Sequence, residues 1–301
     1  MYRTGTHGSI STKRVRKGLK HRIFPSTETP QRGNELFLDY HLLVRLEIYI
    51  KKQYTTLIHD IRITMLTYQE GNKMLITIVM PCLNEERGIG RTIDDIPFNG
   101  LKEMGYEIEL LVIDGGSSDR SVDLAKSKGA RVLVSERGYG RQYRFGFEHA
   151  NGEIIVTADS DGSYPLSDIP RILETLENGK FDFVTVNRFA NVSPGAMHIL
   201  NKTGNSVLTQ ITNLLFRLNI KDSQSGMWAF RKAALKKIDL TSDGMSLSEE
   251  IKIEAFKKLK SMEVPGSYRH RIGAMKLKRF RDGWQNLSFL IKKWKKEHSN
   301  R

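Results

Sequence analysis

The chain has 301 residues, 39% of them hydrophobic and 27% charged, and its 48 Lys and Arg outnumber 34 Asp and Glu to give a formal net charge of +14. That length holds one large domain or two small ones with a substantial core, and the composition is otherwise that of an ordinary soluble protein. A single cysteine, Cys82, excludes an internal disulfide and a cysteine-cluster zinc site, and no apolar run approaches the roughly 20 residues needed to span a bilayer.

Residues 1 to about 35 are polar, basic and rich in Ser, Thr and Gly, a composition that predicts disorder. Lys13, Arg14, Arg16 and Lys17 are not followed by the apolar core of a secretory signal. Residues 36–72 carry apolar side chains (Leu36, Leu38, Leu42, Leu43, Leu46, Ile48, Ile50) that fit neither the helical nor the strand period. Met74 stands just before the first regular strand, so residues 1–72 are expected to be a dispensable extension and translation to be able to start there. Intact mass of the native protein tests that expectation.

From Leu75 the pattern becomes regular. Strands are predicted at Leu75 to Met80, Ile108 to Ile113, Arg131 to Val134, Ile154 to Ala158 and Phe181 to Val186, and Met227 to Phe230 reads as a short one. Helices are predicted at Glu86 to Ile93, Ser118 to Lys128, Tyr139 to His149 and Leu166 to Leu176. Strands spaced by helices predict an α/β fold with a mostly parallel central sheet covered by helices on both faces. In open sheets of this kind ligands sit beyond the carboxyl ends of the strands. The domain is expected over residues 73–275, with 276–301 a basic amphipathic tail.

Three strand ends carry polar residues. The first, Pro81-Cys-Leu-Asn84-Glu85, lacks Gly-x-Gly-x-x-Gly, which removes the main support for a dinucleotide-binding oxidoreductase. Pro81 stops the ladder there, and Asn84 and Glu85 either grip ligand hydroxyls or cap the next helix. Cys82 reads as a small buried filler. At the second end, Gly115 and Gly116 permit a tight turn and close ligand approach, while Asp114 can accept from the N–H edge of a base. Ser117 or Ser118 is expected to cap the following helix, which leaves Asp119 a structural role. Arg137 and Arg141 flank two glycines before a helix, placed to contact phosphates, base or ribose, or to form a structural ion pair.

The third end, Asp159-Ser-Asp161-Gly162, sets two carboxylates one residue apart after an apolar run. Two ionised carboxylates this close keep their charge only if water or a cation balances them. Mg²⁺ or Mn²⁺ prefers oxygen ligands, is held by one or two carboxylates and leaves its other positions to water and substrate phosphates. Asp159 and Asp161 are therefore the candidate metal ligands.

Pro81-Cys-Leu-Asn-Glu85, Val112-Ile-Asp114-Gly-Gly-Ser-Ser-Asp119 and Asp159-Ser-Asp161, in that order and spacing, resemble the nucleotide-sugar half of a family 2 glycosyltransferase of GT-A fold. The resemblance covers roughly residues 74 to 285. Arg137-Gly-Tyr-Gly-Arg141, Asp222-Ser-Gln-Ser-Gly226, Glu263-Val-Pro265 and Arg271-Ile-Gly-Ala-Met-Lys276-Leu narrow it to the branch that makes dolichyl-phosphate or polyprenyl-phosphate sugars. The resemblance implies that Asp114 recognises the base, Glu85 contacts the nucleoside, and Asp159 and Asp161 bind the donor diphosphate through the metal. It also implies a sugar and acceptor beside the turn of Asp222, Gln224 and Gly226, and an acidic residue facing the acceptor that matches Glu249 or Glu250. Several relatives carry Gln or His two positions after the second Asp; here that position is Ser163, so weaker or more permissive metal use is expected.

Departure of a nucleoside diphosphate needs stabilisation of its negative charge, which a divalent ion supplies as a Lewis acid. An acceptor lipid phosphate is already anionic, so it needs cations rather than a strong base. Arg271, Lys276, Lys278, Arg279 and Arg281 are placed to supply them, Arg being suited to bidentate phosphate contacts. Pro81, Asn84, Glu85, Asp114, Gly115, Arg137, Arg141, Asp159 and Lys276 are the expected donor-site residues, and Asp161, Arg271 and Glu250 the expected catalytic ones. Glu249 is assigned elsewhere, because Ser246-Leu-Ser-Glu249 fits a capping box opening a helix from Ser248 to Lys260.

Between residues 256 and 301 fourteen Lys and Arg face three Asp and Glu. In the last stretch Trp284, Leu287, Ile291 and Trp294 recur at helical spacing among lysines, the pattern of a helix that lies in an anionic membrane interface or docks on the domain. The expected protein is thus a hexosyltransferase moving sugar from UDP-glucose or GDP-mannose to dolichyl or polyprenyl phosphate, peripheral on the cytoplasmic membrane face. A soluble transferase acting on a saccharide or protein hydroxyl is the alternative, and would need a base such as Glu250. A noncatalytic nucleic-acid-binding module is the remote one, and no nucleic-acid partner is expected, because no such motif is present and the acids at the strand ends would repel that ligand.

Overall fold

The computed structural model describes residues 49–57, 73–273 and 279–299. The chain divides into two compact units, Met1–Thr67 and Tyr68–Arg301. In the first, residues 49–57 form a helix whose residues are all exposed. The disorder expected for residues 1–35 falls outside the described residues.

The second unit runs β1 (Met74–Cys82), α1 (Ile89–Asp94), α2 (Phe98–Glu103), β2 (Tyr106–Asp114), α3 (Ser121–Ser127), β3 (Arg131–Val134), α4 (Tyr139–His149) and β4 (Ile154–Thr157). It continues through α5 (Ile169–Asn178), β5 (Phe183–Val192), α6 (Ile199–Phe216), β6 (Trp228–Arg231), α7 (Leu247–Lys258), β7 (Ser261–Tyr268) and α8 (Arg279–Ser299). Its seven strands form one sheet in the order β3-β2-β1-β4-β6-β5-β7. Only β6 runs antiparallel to its neighbours, so the α/β, mostly parallel expectation holds.

The pleat explains the two-sided core. β1 is buried from Ile76 to Cys82, the near-continuous apolar run of a strand covered on both faces. Ile76, Ile78 and Met80 pack with Leu101, Ile172 and Leu173 on one face, whereas Val79 packs with Tyr143, Phe147 and Trp228 on the other. Gly146 lets α4 lie close on that second face, since a Cβ there would come within 2.5 Å of Val79 Cγ1.

Several expected boundaries moved for one physical reason. The helices predicted from Glu86 and Ser118 start at Ile89 and Ser121 because the residues before them tie the β1 and β2 loops together. The Glu85 N–H donates to Ser121 Oγ at 2.7 Å and the Glu86 N–H to Asp119 Oδ2 at 3.1 Å. Neither Ser117 nor Ser118 caps α3; the Ser121 N–H goes to Asp119 Oδ1 at 3.0 Å. β5 begins at Phe183 and runs on to Val192 through a register shift between Asn187 and Asn191. The sequence pattern did not anticipate α6 or β7. Residues 279–299 are a helix packed through Leu290 against Leu208, Phe216 and Ile253. The expected stripe on it is split: Leu287 and Trp294 face the domain, while Trp284 and Ile291 are exposed.

Candidate active site

Because β1, β2 and β4 are parallel, their carboxyl ends share one edge, and a cleft of about 420 Å³ opens there. Pro81 and Glu85 from the first strand end line it, as do Asp159 and Asp161 from the third and Arg137, Arg188 and Arg271 from three further segments. Four phenol and carboxamide side chains, Tyr139, Tyr164, Tyr268 and Gln224, complete much of its wall.

The Asp159–Asp161 turn is held tightly. Gly162 takes φ +73°, a conformation that favours glycine, and the Ser160 hydroxyl donates to the Pro81 carbonyl at 2.6 Å. Asp161 Oδ1 accepts the Ser163 N–H at 2.9 Å and its Oδ2 pairs with Arg271 Nη1 at 2.7 Å. Arg271 also pairs with Glu85. Backbone bonds from Arg269 N to the Ser163 carbonyl and from Ile272 N to the Asp161 carbonyl lay the 269–272 segment over this turn.

Asp159 Oδ1 accepts hydroxyls from Tyr139 and Tyr143, each at 3.3 Å. Burial and the neighbouring Asp161 charge push the Asp159 carboxyl up to about 7, against the pull of Arg271 and Arg188. Added positive charge beside the pair would ease this repulsion. Among the described residues no group of three or more His, Cys, Asp or Glu is arranged to hold a metal. Two carboxylates, oxygen donors only and an open cleft beside them suit Mg²⁺ or Mn²⁺, which takes its remaining ligands from water and phosphate.

The other expected residues fall into groups. Asp114 is turned onto its own loop: its Oδ2 accepts the Gly116 and Ser117 N–H groups at 3.0 Å each, and its Oδ1 the Ser117 hydroxyl. Asn84 has φ +50°, and its Oδ1 accepts the Ser118 N–H at 2.8 Å. Gly115 donates its N–H to the Cys82 carbonyl at 2.8 Å, and a Cβ there would touch Gln142, whose amide bridges the Cys82 and Ile113 carbonyls. Asn84, Asp114 and Gly115 shape the loops at the edge of the cleft, and Gln142 lines it. Arg141 lies at the rim, paired with Glu136 and with Asp243 at 2.7 Å. Cys82 is buried, and desolvation pushes its thiol up to about 11. Lys276 falls outside the described residues.

The two glutamates of α7 are both buried, and each is engaged by a tertiary partner. No side-chain cap bond forms at Ser246. Glu249 is fully buried and accepts a hydrogen bond from Gln224 Nε2, so it has no capping role. Burial pushes its carboxyl up to about 8, against the Gln224 bond and the Lys252 charge. Glu250, expected to be catalytic, instead accepts the Thr241 N–H at 3.0 Å, the Thr241 hydroxyl at 2.8 Å and the Ser242 N–H at 2.8 Å. It holds a loop and does not line the cleft.

Residues that the motifs did not point to are prominent. Arg188 makes a buried two-pronged pair with Asp222, Nε to Oδ2 at 2.7 Å and Nη2 to Oδ1 at 2.9 Å, and its guanidinium lies 5.4 Å from the Tyr268 ring centre. Its signal was a charge inside the strand, just after the apolar run Phe183 to Val186. A second cavity of about 340 Å³ lies between α6 and α8; Met197, Leu200, Gly204 and Leu208 line it together with Asn201, Asn205 and Asn286. It shares Arg188, Gln224, Met245, Tyr268 and Asp282 with the cleft, so the two spaces adjoin.

The model of glycosyl transferase family 2 matches residues 77–239. The low-salt glycan biosynthesis hexosyltransferase Agl6 of Haloferax volcanii is 33% identical over 220 residues, 72% of this chain and 53% of that protein. The dolichyl-phosphate hexose transferase of the same organism is 32% identical over 69% of this chain and 89% of its own. Agl6 and glycosyltransferase AglJ are matched over only 53% and 62% of their lengths. Among solved structures, glucosyl-3-phosphoglycerate synthase from Mycobacterium tuberculosis superposes with TM-score 0.60 at 22% identity, covering 73% of this chain and 79% of that one, which establishes the GT-A fold.

Proposed function

The chain belongs to glycosyl transferase family 2, and from that premise we propose that it moves a hexose from a nucleotide-diphosphate sugar to a dolichyl or polyprenyl phosphate, inverting the anomeric centre, at the cytoplasmic face of a membrane. The observation that carries this reading is the second cavity. Its wall includes Met197, Leu200, Gly204 and Leu208, which suit an isoprenoid chain, beside the polar Asn201, Asn205 and Asn286, and it meets the cleft at Asp282, next to Arg281 of the cleft wall, which suits the phosphate at the end of that chain. One relative is itself named for transfer to dolichyl phosphate.

The residues divide the work. Asp159 and Asp161 would hold Mg²⁺ or Mn²⁺, which when bound neutralises charge on the departing diphosphate. Arg137 and Arg271 bring cationic charge to the phosphates from the cleft wall. Asn84, Asp114 and Gly115 fix the loops that border the nucleoside end. A lipid phosphate attacks with an oxygen already ionised, so Glu250, occupied by the 241–242 loop, is not required.

An acceptor hydroxyl would need a carboxylate at the meeting of the two cavities, where Asp282 lies. Asp282→Asn distinguishes the two: substantial transfer remains with a lipid phosphate and nearly vanishes with a hydroxyl. The main test incubates the protein with Mg²⁺ or Mn²⁺, labelled nucleotide sugars and dolichyl phosphate, and follows label into the organic phase. Hydrolysis or water-soluble product across the whole panel would overturn the lipid reading.

The outer surface of α8 and α6 supports membrane contact. Trp284 is 71% exposed and Ile291 42%, beside exposed Arg281, Lys292, Lys295 and Lys296. On α6, Leu200, Val207 and Leu214 recur every seven residues and are exposed, and the helix contains no acidic residue. Among the described residues no helix is long and apolar enough to cross a membrane. Such a basic, apolar face fits an anionic bilayer surface, and co-sedimentation with phosphatidylglycerol vesicles that survives Trp284→Glu and Leu214→Glu would refute this contact.

A further inference from the structure

We infer that Lys252 is a positioning residue, whose side chain fixes the Asp222–Gly226 turn against the Asp159 carboxylate and so sets the geometry of the transfer step. The inference rests on the donor reading of the cleft given above. Lys252 lies on α7, fully buried, and its Nζ donates to the Asp222 carbonyl at 2.9 Å and the Ser225 carbonyl at 2.7 Å. Those two carbonyls close the turn from beneath.

Every residue of the turn is pinned. Asp222 carries the Arg188 pair; the Ser223 N–H donates to Thr209 Oγ1 at 3.0 Å; Gln224 is held between Glu249 and Asn286. The Ser225 carbonyl also takes Trp228 Nε1 at 2.8 Å. The Gly226 N–H reaches the Tyr164 hydroxyl at 2.8 Å, and its carbonyl accepts from Thr157 Oγ1 at 2.8 Å. A Cβ on Gly226 would lie 2.3 Å from the Tyr139 hydroxyl and 3.5 Å from both Asp159 carboxylate oxygens, so the turn packs directly on the metal-side acid. From the same turn Gln224 reaches both cavities.

A buried ammonium is costly where an apolar side chain of similar length would pack without that cost. Burial pushes Lys252 down to about 7, against the charge of Asp222, with Arg188, Glu263 and Glu249 the other charged groups facing it. Its influence on the cleft runs through the two carbonyls that its Nζ holds.

Lys252→Met tests this, because it keeps the stem and removes the donors. The variant is expected to fold, with amide exchange at residues 223–227 faster by about tenfold or more while α7 and β1 stay protected. The rate constant kcat for transfer from the nucleotide sugar should drop about ten- to a hundredfold with KM for the donor within about threefold, the signature of lost alignment rather than lost binding. Wild-type exchange and wild-type kcat in Lys252→Met would overturn the inference. If Lys252→Met does not fold, Lys252→Ala with ethylammonium replaces it: restored protection of residues 223–227 by ethylammonium and not by propanol supports the inference, and equal restoration by both overturns it. Failure of the wild-type protein to label dolichyl phosphate would instead sink the acceptor reading, leaving the exchange measurement to decide the role of Lys252.

Discussion

Asp222→Asn is the perturbation whose size the structure fixes best. The substitution keeps volume and removes the charge facing Arg188, whose guanidinium is buried with Asp222 at 2.7 and 2.9 Å. Burial opposes ionisation of Asp222, and the Arg188 charge and hydrogen bonds outweigh it, holding the carboxyl below the usual range. Removing one partner of such a pair leaves an uncompensated buried cation and costs about 3–5 kcal/mol. For a domain of this size each kcal/mol moves Tm by about 2–4 °C, so the expected fall is about 6–20 °C. Thermal melts followed by circular dichroism measure that fall and urea denaturation the free-energy loss, with Arg188→Met/Asp222→Leu as the companion variant. The double substitution removes both charges and should regain most of the loss. A single-variant loss under about 1 kcal/mol would refute the claim that this pair is desolvated and structural. The sign with pH follows: the Asp222 contribution is present above the unfolded carboxylate value near 3.8 and is lost as pH falls through the lower folded value.

Asp159 should behave in the opposite sense. With its folded carboxyl near 7 and its unfolded one near 3.8, the metal-free protein binds a proton that the unfolded chain lacks across that interval, so stability falls as pH rises from about 4 to about 7. Asp159→Asn should flatten that slope in thermal melts, and Mn²⁺ should raise Tm at pH 8 for the wild type only; an unchanged slope refutes the assignment. Arg271→Gln frees Asp161 from its guanidinium, so Mn²⁺ affinity by calorimetry should tighten while kcat/KM falls about ten- to hundredfold, the worth of a charge-assisted contact. Tighter metal binding with unimpaired turnover would show that Arg271 does not serve the donor. Gly226→Ala forces a Cβ within 2.3 Å of the Tyr139 hydroxyl, and transfer should be lost at a Tm within a few degrees of wild type; full activity would refute the packing of the turn on Asp159.

Much of the cleft edge was legible because it is written in contiguous segments. Each parallel strand must end near the site, so Pro81 to Glu85, Asp114 to Asp119 and Asp159 to Asp161 could be placed from strand ends alone. β3 and α4 have the predicted bounds because both period and flanking turns agree over them. What individual side chains do at those ends was less visible. Asp114 and Asn84 look like ligand contacts in one dimension; in the fold Asp114 accepts from its own turn, and Asn84 Oδ1 accepts from Ser118 of the neighbouring loop. At Glu249 and Glu250 the local rule favoured a capping box, but a tertiary partner, Gln224, claimed the first, and the 241–242 loop claimed the second.

The amino-acid order by itself determined the α/β alternation, the apolar strands buried on both faces and the paired carboxylates after β4, because these depend on periodicity and on neighbours along the chain. Only the tertiary structure decided that β6 runs antiparallel, that α6 and α8 border a second cavity, that Arg188 and Arg271 meet in the cleft wall from remote segments, and that Lys252 reaches the Asp222 and Ser225 carbonyls. A buried cation is tolerated only when distant carbonyls or carboxylates surround it, and that surrounding comes into being only when the strands and helices are packed together.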